Sequence, residues 1–140
     1  MKVYIYSRSL MERHIKKGLP ANTAIVSFAD TEDDFIEFPE GTNVLKVAFY
    51  DVRPHTVMRE HWDSVLPEAK QIAEFLVKNV KEGKDIICQC DYGISRSAGL
   101  AAAVLQKWCR KGIDVFADYR FTPNQFVYKL VLKELDKLVK

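Results

Sequence analysis

The chain has 140 residues, of which 48% are hydrophobic and 29% charged, and its formal net charge is only +2. This length suffices for one compact domain with its own core, so we expect a single domain over residues 1–140. A charge so close to balance gives no reason to expect nucleic acid or an anionic membrane surface as a partner.

Targeting segments and cysteine usage limit the cellular compartments in which we expect the protein. No apolar run approaches the roughly 18 residues that a membrane span requires, and the first residues turn polar too early for a secretory signal. Three cysteines without a regular spacing indicate a reducing compartment. We therefore expect a cytoplasmic protein with no membrane partner, and the sequence leaves the oligomeric state undetermined.

Runs of β-branched and aromatic residues alternate along the chain with segments of helical periodicity. They predict, in chain order, a strand over 3–6, a helix over 10–17, strands over 24–28 and 44–49, a helix over 67–80, a strand over 85–89, and helices over 98–111, 114–120 and 123–139. This order predicts an α/β fold: a central, mostly parallel sheet of about four to five strands flanked by helices, with a helical C-terminal third.

Two connections between these elements are long. Residues 30–41 carry four acids in their first five positions and are predicted to form a surface loop. Residues 51–64 follow a strand and form the longest irregular segment of the α/β part. Long loops at the carboxyl ends of parallel strands tend to carry function, so the second connection is a candidate for part of a site.

The strongest chemical pattern lies between the strand over 85–89 and the helix that follows it: Cys90-Asp91-Tyr92-Gly93-Ile94-Ser95-Arg96-Ser97. In a tight loop at this point, backbone N–H groups converge and the helix adds its positive N-terminal end. Such an environment favours a thiolate at Cys90. Arg96 can hold a phosphate through two parallel hydrogen bonds. The segment therefore predicts a phosphate site that contains a nucleophile.

This segment resembles the signature loop of the cysteine-dependent protein tyrosine phosphatases, in particular the small dual-specificity type. Its Gly-Ile-Ser-Arg-Ser ending is especially close, and the order of elements extends the resemblance over about residues 44–140. The resemblance implies a metal-free phosphomonoester hydrolase that needs no cofactor. Its substrates would be phosphorylated proteins or peptides, and the reaction would pass through a phosphocysteine intermediate.

The resemblance also implies roles for the residues of the loop. Cys90 would attack phosphorus, and Arg96 would hold the oxygens of the transferring phosphoryl group. For Ser97 two interpretations stay open, a hydroxyl that donates to the Cys90 sulfur or a helix N-cap. The backbone N–H groups that would bind the substrate phosphate are those of Asp91, Tyr92, Gly93, Ile94, Ser95 and Arg96.

A phosphatase of this type also needs an acid that protonates the leaving oxygen. Asp51 is our expected acid, because it directly follows a strand and opens the long loop where the family carries this residue. Asp63 is the competitor, although helix capping is its more natural explanation. His55 and His61 share this loop and are expected to be solvent-exposed side chains.

Two departures from the family pattern bear on turnover and on the substrate. Gln89 stands where most relatives have histidine, and a glutamine can donate a similar hydrogen bond to the loop but carries no positive charge. Asp91 adds a negative charge beside the nucleophile, which argues against a polyanionic phosphoinositide as substrate. Gln89, together with the choice between two candidate acids, motivates the alternative function, a pseudophosphatase that binds phosphate or phosphopeptide with weak or no turnover.

Four further predictions concern residues around the loop. Cys88 lies on the same strand face as Cys90 and is expected to be a buried core residue rather than a disulfide partner. Cys109 is also expected in the core, and Gly99 is expected to let its helix pack closely on the sheet. Arg120 and Asn124 lie in a connection that could bring them to the site to position substrate or water, but the segment is interpreted as a turn, with Thr122 as the cap of the last helix.

Overall fold

A computed structural model describes residues 1–140 as four strands and five α-helices. The strands are β1 (Val3–Tyr6), β2 (Thr23–Ala29), β3 (Val44–Ala48) and β4 (Asp85–Gln89), and the helices are α1 (Arg8–Lys17), α2 (Ala69–Lys81), α3 (Arg96–Cys109), α4 (Gly112–Ala117) and α5 (Gln125–Leu138). Every predicted element is present, with ends shifted by three residues or fewer. No helix combines the length and apolar character that crossing a membrane requires.

The sheet explains how distant parts of the sequence reach one site. Its strand order is β1-β4-β2-β3 and all three pairings are parallel, which confirms the predicted sheet. Because the strands are parallel, their carboxyl ends lie at the same edge. The residues that directly follow the four strands therefore come together there, and they are Ser7, Asp30, Phe49 and Cys90.

Helices cover both faces of the sheet, as predicted. The larger core lies between one face and α2, α3 and α5, where side chains such as Leu76, Leu100 and Val127 are fully buried. On the opposite face α1 contributes Met11 to a smaller core that also includes Ile36. Ile36 belongs to the segment predicted as a surface loop, so that prediction is wrong for the part of the segment that packs on the sheet.

The cysteines test the core predictions. Cys88 is fully buried, as expected, and this burial raises the pKa of its thiol. All three cysteines are free thiols. The prediction for Cys109 is wrong, because the residue is exposed. Burial decreases steadily along α3, so the last turn of the helix, where Cys109 lies, projects beyond the core.

Candidate active site

The first half of the loop between β4 and α3 is held by the connection between β1 and α1. The Cys90 amide donates to the Tyr6 carbonyl at 3.2 Å, and the Arg8 amide donates to the Asp91 carbonyl at 3.0 Å. Two backbone hydrogen bonds therefore position the start of the loop. This arrangement follows from the sheet order, because β1 is the direct neighbour of β4.

Gly93 lets the loop approach that connection closely. Its φ is +70°, in the left-handed region that favours glycine. A Cβ atom at this position would also lie 2.7 Å from the Ser7 amide nitrogen. Both the backbone conformation and the space therefore require a glycine.

The second half of the loop is held by the connection between α4 and α5. The Thr122 amide donates to the Ile94 carbonyl at 2.8 Å, and the Asn124 amide donates to the Ser95 carbonyl at 2.9 Å. The loop is thus held at both ends by backbone hydrogen bonds. The Ile94 side chain and that of Tyr92 point to the solvent, with 43% and 82% of each residue exposed, so both lie at the rim.

The thiol of Cys90 lies against a hydroxyl. Its Sγ is 3.1 Å from Ser97 Oγ, and both residues are buried. Ser97 is the second residue of α3, whereas the N-cap position belongs to Ser95, which makes no side-chain capping bond. The N-cap interpretation of Ser97 is therefore wrong. Its hydroxyl is free to donate to the sulfur instead.

The Arg96 guanidinium is held by hydrogen bonds at Nη1, whereas its Nε has no partner. Its side chain is only 5% exposed, and Nη1 donates to Asp30 Oδ1 at 2.8 Å and to the Phe49 carbonyl at 2.6 Å. Nη2 is 3.6 Å from the Asp91 carboxylate. Nε is buried without any hydrogen-bond partner. A buried donor without a partner is costly, so Nε is a ready donor for an anion.

Asp51 is attached to the same loop. Its Oδ1 accepts a hydrogen bond from the Ser95 hydroxyl at 2.6 Å and another from Asn124 Nδ2 at 2.8 Å. Asn124 Nδ2 also donates to the Val52 carbonyl at 2.9 Å. These contacts hold the start of the long loop against the loop of Cys90. The second carboxylate oxygen of Asp51 makes no hydrogen bond to the protein.

Asp63 lies elsewhere. It is an exposed residue of the short 3-10 helix Arg59–Ser64, and its carboxylate forms no hydrogen bond and no ion pair within the protein. The N-cap of α2 is Glu68, so the capping explanation of Asp63 is wrong. Of the two candidate acids, only Asp51 meets the loop that contains Cys90.

Comparison with known proteins identifies the fold. No family model and no curated protein matches the chain. The structure of the Cydia pomonella PTP-2 phosphatase matches with a TM-score of 0.61 at 19% identity, over 95% of this chain and 85% of that one. A human DUSP28 variant gives 0.61 at 17%, over 97% and 90%. PTPMT1 in complex with PI(5)P gives 0.59 at 15%, over 98% and 92%. The chain has the protein tyrosine phosphatase fold.

The resemblance noted in the sequence is thus confirmed for the tyrosine phosphatase fold. Two residues at this edge of the tyrosine phosphatase fold were not predicted as site residues. Asp30 accepts a hydrogen bond from Arg96. The sequence contained one indication of this role, because Asp30 directly follows β2 just as Cys90 directly follows β4. Asn124, interpreted as part of a turn, both caps α5 through Val127 and donates to Asp51. Thr122 is therefore not the cap.

Gln89 does not contact the loop in the way the sequence suggested. Its side-chain oxygen accepts a hydrogen bond from the Ser27 hydroxyl on β2. The two residues are register partners on neighbouring strands, so their side chains emerge on the same face of the sheet. Cys88 and Cys90 face the other side. The expected hydrogen bond from Gln89 to the loop is therefore replaced by a bond within the sheet.

Gly99 allows a close approach to α5 and not, as predicted, to the sheet. A Cβ atom there would lie 2.4 Å from the Asn124 carbonyl oxygen, so this glycine accommodates the backbone at the start of α5 rather than the sheet. We expect Gly99→Ala to destabilise the protein by about 1–3 kcal/mol through overpacking. The gain in helix propensity, about 1 kcal/mol, has the opposite sign.

Denaturant unfolding and activity measurements test this expectation together. The Gly99→Ala variant should also lose activity under conditions where it is still folded, because the added Cβ displaces Asn124, which holds Asp51. Asn124→Ala is the comparison variant, since it removes the contact to Asp51 and the cap of α5 without overpacking α3. A Gly99→Ala variant that is both fully stable and fully active would contradict the assignment.

Proposed function

We propose that this protein is a metal-free phosphomonoester hydrolase that removes phosphate from protein or peptide side chains through a phosphocysteine intermediate. The observation that carries the proposal is the meeting of three groups at one loop. The Cys90 sulfur contacts the Ser97 hydroxyl, and Arg96, which directly precedes Ser97 at the start of α3, has a buried Nε without a partner. A nucleophile beside an unsatisfied cationic donor is suited to attack on a bound phosphoryl group.

In the first step the Cys90 thiolate attacks phosphorus from the side opposite the leaving oxygen. The S–P bond forms while the bond between phosphorus and the leaving oxygen breaks. Asp51 gives its proton to that oxygen, so the alcohol or phenol departs neutral. The contact of Asp51 with Ser95 supports this role, because it brings the carboxyl group to the loop that binds phosphate.

In the second step a water molecule attacks the phosphorus of the phosphocysteine. Asp51, now ionised, accepts the proton of this water. The S–P bond breaks and the electron pair returns to the sulfur as a thiolate. The Ser97 hydroxyl, 3.1 Å away, stabilises this thiolate with a hydrogen bond, and inorganic phosphate then leaves the site.

Arg96 stabilises the charge that develops on the transferring group. Because Asp30 and the Phe49 carbonyl occupy Nη1, the edge formed by Nε and Nη2 is left for two phosphoryl oxygens. This edge gives the two parallel hydrogen bonds that a planar guanidinium forms best. Asp91 stands 3.6 Å from Nη2 and has to yield when phosphate binds.

We expect Arg96→Lys to lower kcat/KM for an aryl phosphate by about 10²–10³-fold, because lysine cannot supply two fixed donors. Steady-state kinetics measures the loss, and circular dichroism checks that the variant is folded. Arg120→Lys is the matched control, since Arg120 is an exposed arginine paired with Asp118. Equal losses in the two variants would argue against the role of Arg96.

A second candidate function is phosphopeptide binding without turnover. The observation that favours it is the Gln89 side chain, which bonds to Ser27 on β2 and therefore gives the loop of Cys90 no hydrogen bond. Hydrolysis of p-nitrophenyl phosphate and of a phosphotyrosine peptide, measured with excess EDTA, distinguishes the candidates. The hydrolase proposal expects turnover that EDTA does not change. Tight peptide binding with no release of phosphate would favour the second candidate.

Charge near the loop supports a peptide as the substrate. PTPMT1 is known in complex with PI(5)P. In this chain Asp30 and Asp91 both lie next to Arg96, and two carboxylates disfavour a compact polyanionic head group. In the EDTA experiment, one phosphotyrosine, one phosphoserine and one phosphothreonine peptide show which phosphorylated side chains are hydrolysed.

The free thiols support a reducing, cytoplasmic location.

A further inference from the structure

A cleft of about 340 Å³ lies on the α1 side of the sheet, next to the edge strand β1. This volume is within the range of about 300–1,000 Å³ that is typical of small-molecule sites. The cleft reaches the amino end of β4, whereas the loop of Cys90 follows the carboxyl end of that strand. We call it the Tyr4 cleft. Its walls include Tyr4, Tyr6, His14, Leu19, Asp85 and Ile87, and none of these side chains takes part in the proposed reaction.

Three aromatic rings line the Tyr4 cleft. The rings of Tyr6 and His14 are stacked, with centroids 4.6 Å apart and planes 5° from parallel, and the Tyr4 ring lies 5.8 Å from that of Tyr6. All three residues are only partly buried, so a ligand can reach them from the solvent. The faces of tyrosine rings carry a negative partial charge and attract cations. Rings grouped in this way around a cleft therefore suit a cationic ligand.

The fixed charge of the Tyr4 cleft is negative. Asp85 Oδ1 accepts a hydrogen bond from the Lys2 amide at 2.8 Å, whereas Oδ2 forms no hydrogen bond and no ion pair within the protein. No lysine or arginine lines the cleft. Burial raises the pKa of the Tyr6 phenol, so this group stays neutral. A ligand in the cleft therefore meets an aspartate carboxylate that no internal cation neutralises.

The other polar groups of the cleft can accept hydrogen bonds. The phenol oxygens of Tyr4 and Tyr6 and the imidazole of His14 form no hydrogen bond within the protein. A guanidinium group has five N–H donors and no acceptor, so it can donate to the Asp85 carboxylate and to a phenol oxygen at once. It is also planar and weakly hydrated, and it stacks on aromatic rings. An ammonium group is more strongly hydrated and fits such an apolar, aromatic surface less well.

We propose that the Tyr4 cleft binds a guanidinium cation, either as a free small molecule or as the arginine side chain of a peptide. The guanidinium group stacks on a tyrosine ring and donates to the Asp85 carboxylate, and the apolar body attached to it packs against Leu19 and Ile87. This site goes beyond the proposed function, because binding there requires no step of phosphate hydrolysis. Its failure and the failure of the phosphatase proposal are therefore separate results.

The test is a titration of the isotope-labelled protein with phenylguanidine, followed by amide chemical shifts in NMR spectra at about pH 7.5, where an ordinary histidine is neutral. The shift changes should saturate and should be largest for residues that line the cleft. Phenylurea has a similar shape without the charge and should bind about tenfold more weakly, as expected for the loss of a charge-assisted contact. A blocked Gly-Arg-Gly peptide represents the second source, and the tighter of the two guanidinium probes identifies the source that the cleft prefers.

Variants test the two parts of the cleft separately. Asp85→Asn should weaken the binding of phenylguanidine about tenfold, because the amide oxygen can still accept from the Lys2 amide but carries no charge. Asp114→Asn is the matched control, since Asp114 is an exposed aspartate of α4 without an ion pair, and it should leave the dissociation constant unchanged. Tyr4→Leu keeps an apolar side chain but removes the ring, so it should weaken phenylguanidine more than phenylurea.

Three results would overturn the Tyr4 cleft. The first is the absence of saturable shift changes with the wild type up to about 10 mM of either guanidinium probe. The second is an equal affinity for phenylguanidine and phenylurea, because the cleft would then bind an aromatic ring regardless of charge. Both results use the wild type, so they decide the question even if a variant does not fold. The third is a set of shift changes centred on the loop of Cys90, which would place the cation at Asp30 and Asp91 instead.

Discussion

Replacing Cys90 with serine is expected to reduce hydrolysis of an aryl phosphate to the uncatalysed background. A serine hydroxyl at this position has no adjacent base, because the nearest side-chain partner is the Ser97 hydroxyl at 3.1 Å. The reaction then has no nucleophile and the phosphoryl group is not transferred. Continuous release of p-nitrophenol measures the loss.

Cys109→Ser is the matched control for this variant. Cys109 is an exposed thiol at the end of α3, so its replacement should leave both folding and turnover unchanged. Retention of activity in Cys90→Ser would rule out covalent catalysis by this residue. Loss of activity in both variants would indicate that the assay responds to thiol removal in general.

Asp51→Asn is expected to lower kcat for a phosphoserine peptide by about 10²–10⁴-fold, the usual contribution of a general acid. The asparagine oxygen can still accept the hydrogen bonds from Ser95 and Asn124, so the loop should keep its position. What the variant loses is the proton for the leaving oxygen. With an aryl phosphate the first step should be less affected, because a phenolate departs without protonation, and the loss should fall on hydrolysis of the phosphocysteine.

Asp63→Asn provides the comparison for the acid. Asp63 lies in the same connection and is exposed, with no contact to the loop of Cys90. Its replacement should leave kcat near the wild-type value with both substrates. If Asp63→Asn is the impaired variant and Asp51→Asn is close to normal, the assignment of the acid is wrong.

The fold was predictable from the sequence because each element has a strong local pattern. The predicted strands over 3–6 and 85–89 match β1 and β4 to the residue. The motif around Cys90 was likewise predictable from the sequence, because its strand, loop and helix are consecutive in the chain. Where local pattern was absent the prediction was wrong, as for Cys109, whose exposure depends on how far α3 extends past its neighbours.

The missed parts of the site depend on strand order and on packing between helices. Asp30 reaches Arg96 because β4 lies between β1 and β2, an order that periodicity along the chain does not contain. Asn124 reaches Asp51 because Gly99 lets the start of α5 approach α3. Both side chains looked like ordinary loop residues because their partners are distant in sequence.

In the proposed reaction the phosphoryl group passes through the sulfur of Cys90. Mass spectrometry of the Asp51→Asn variant, quenched in acid shortly after mixing with an aryl phosphate, tests it most directly. Without Asp51 the first step proceeds with this leaving group, whereas water is not activated, so the intermediate should accumulate. We expect one added phosphoryl group on the peptide that contains Cys90. Hydrolysis that proceeds with the phosphoryl group on another residue would contradict it.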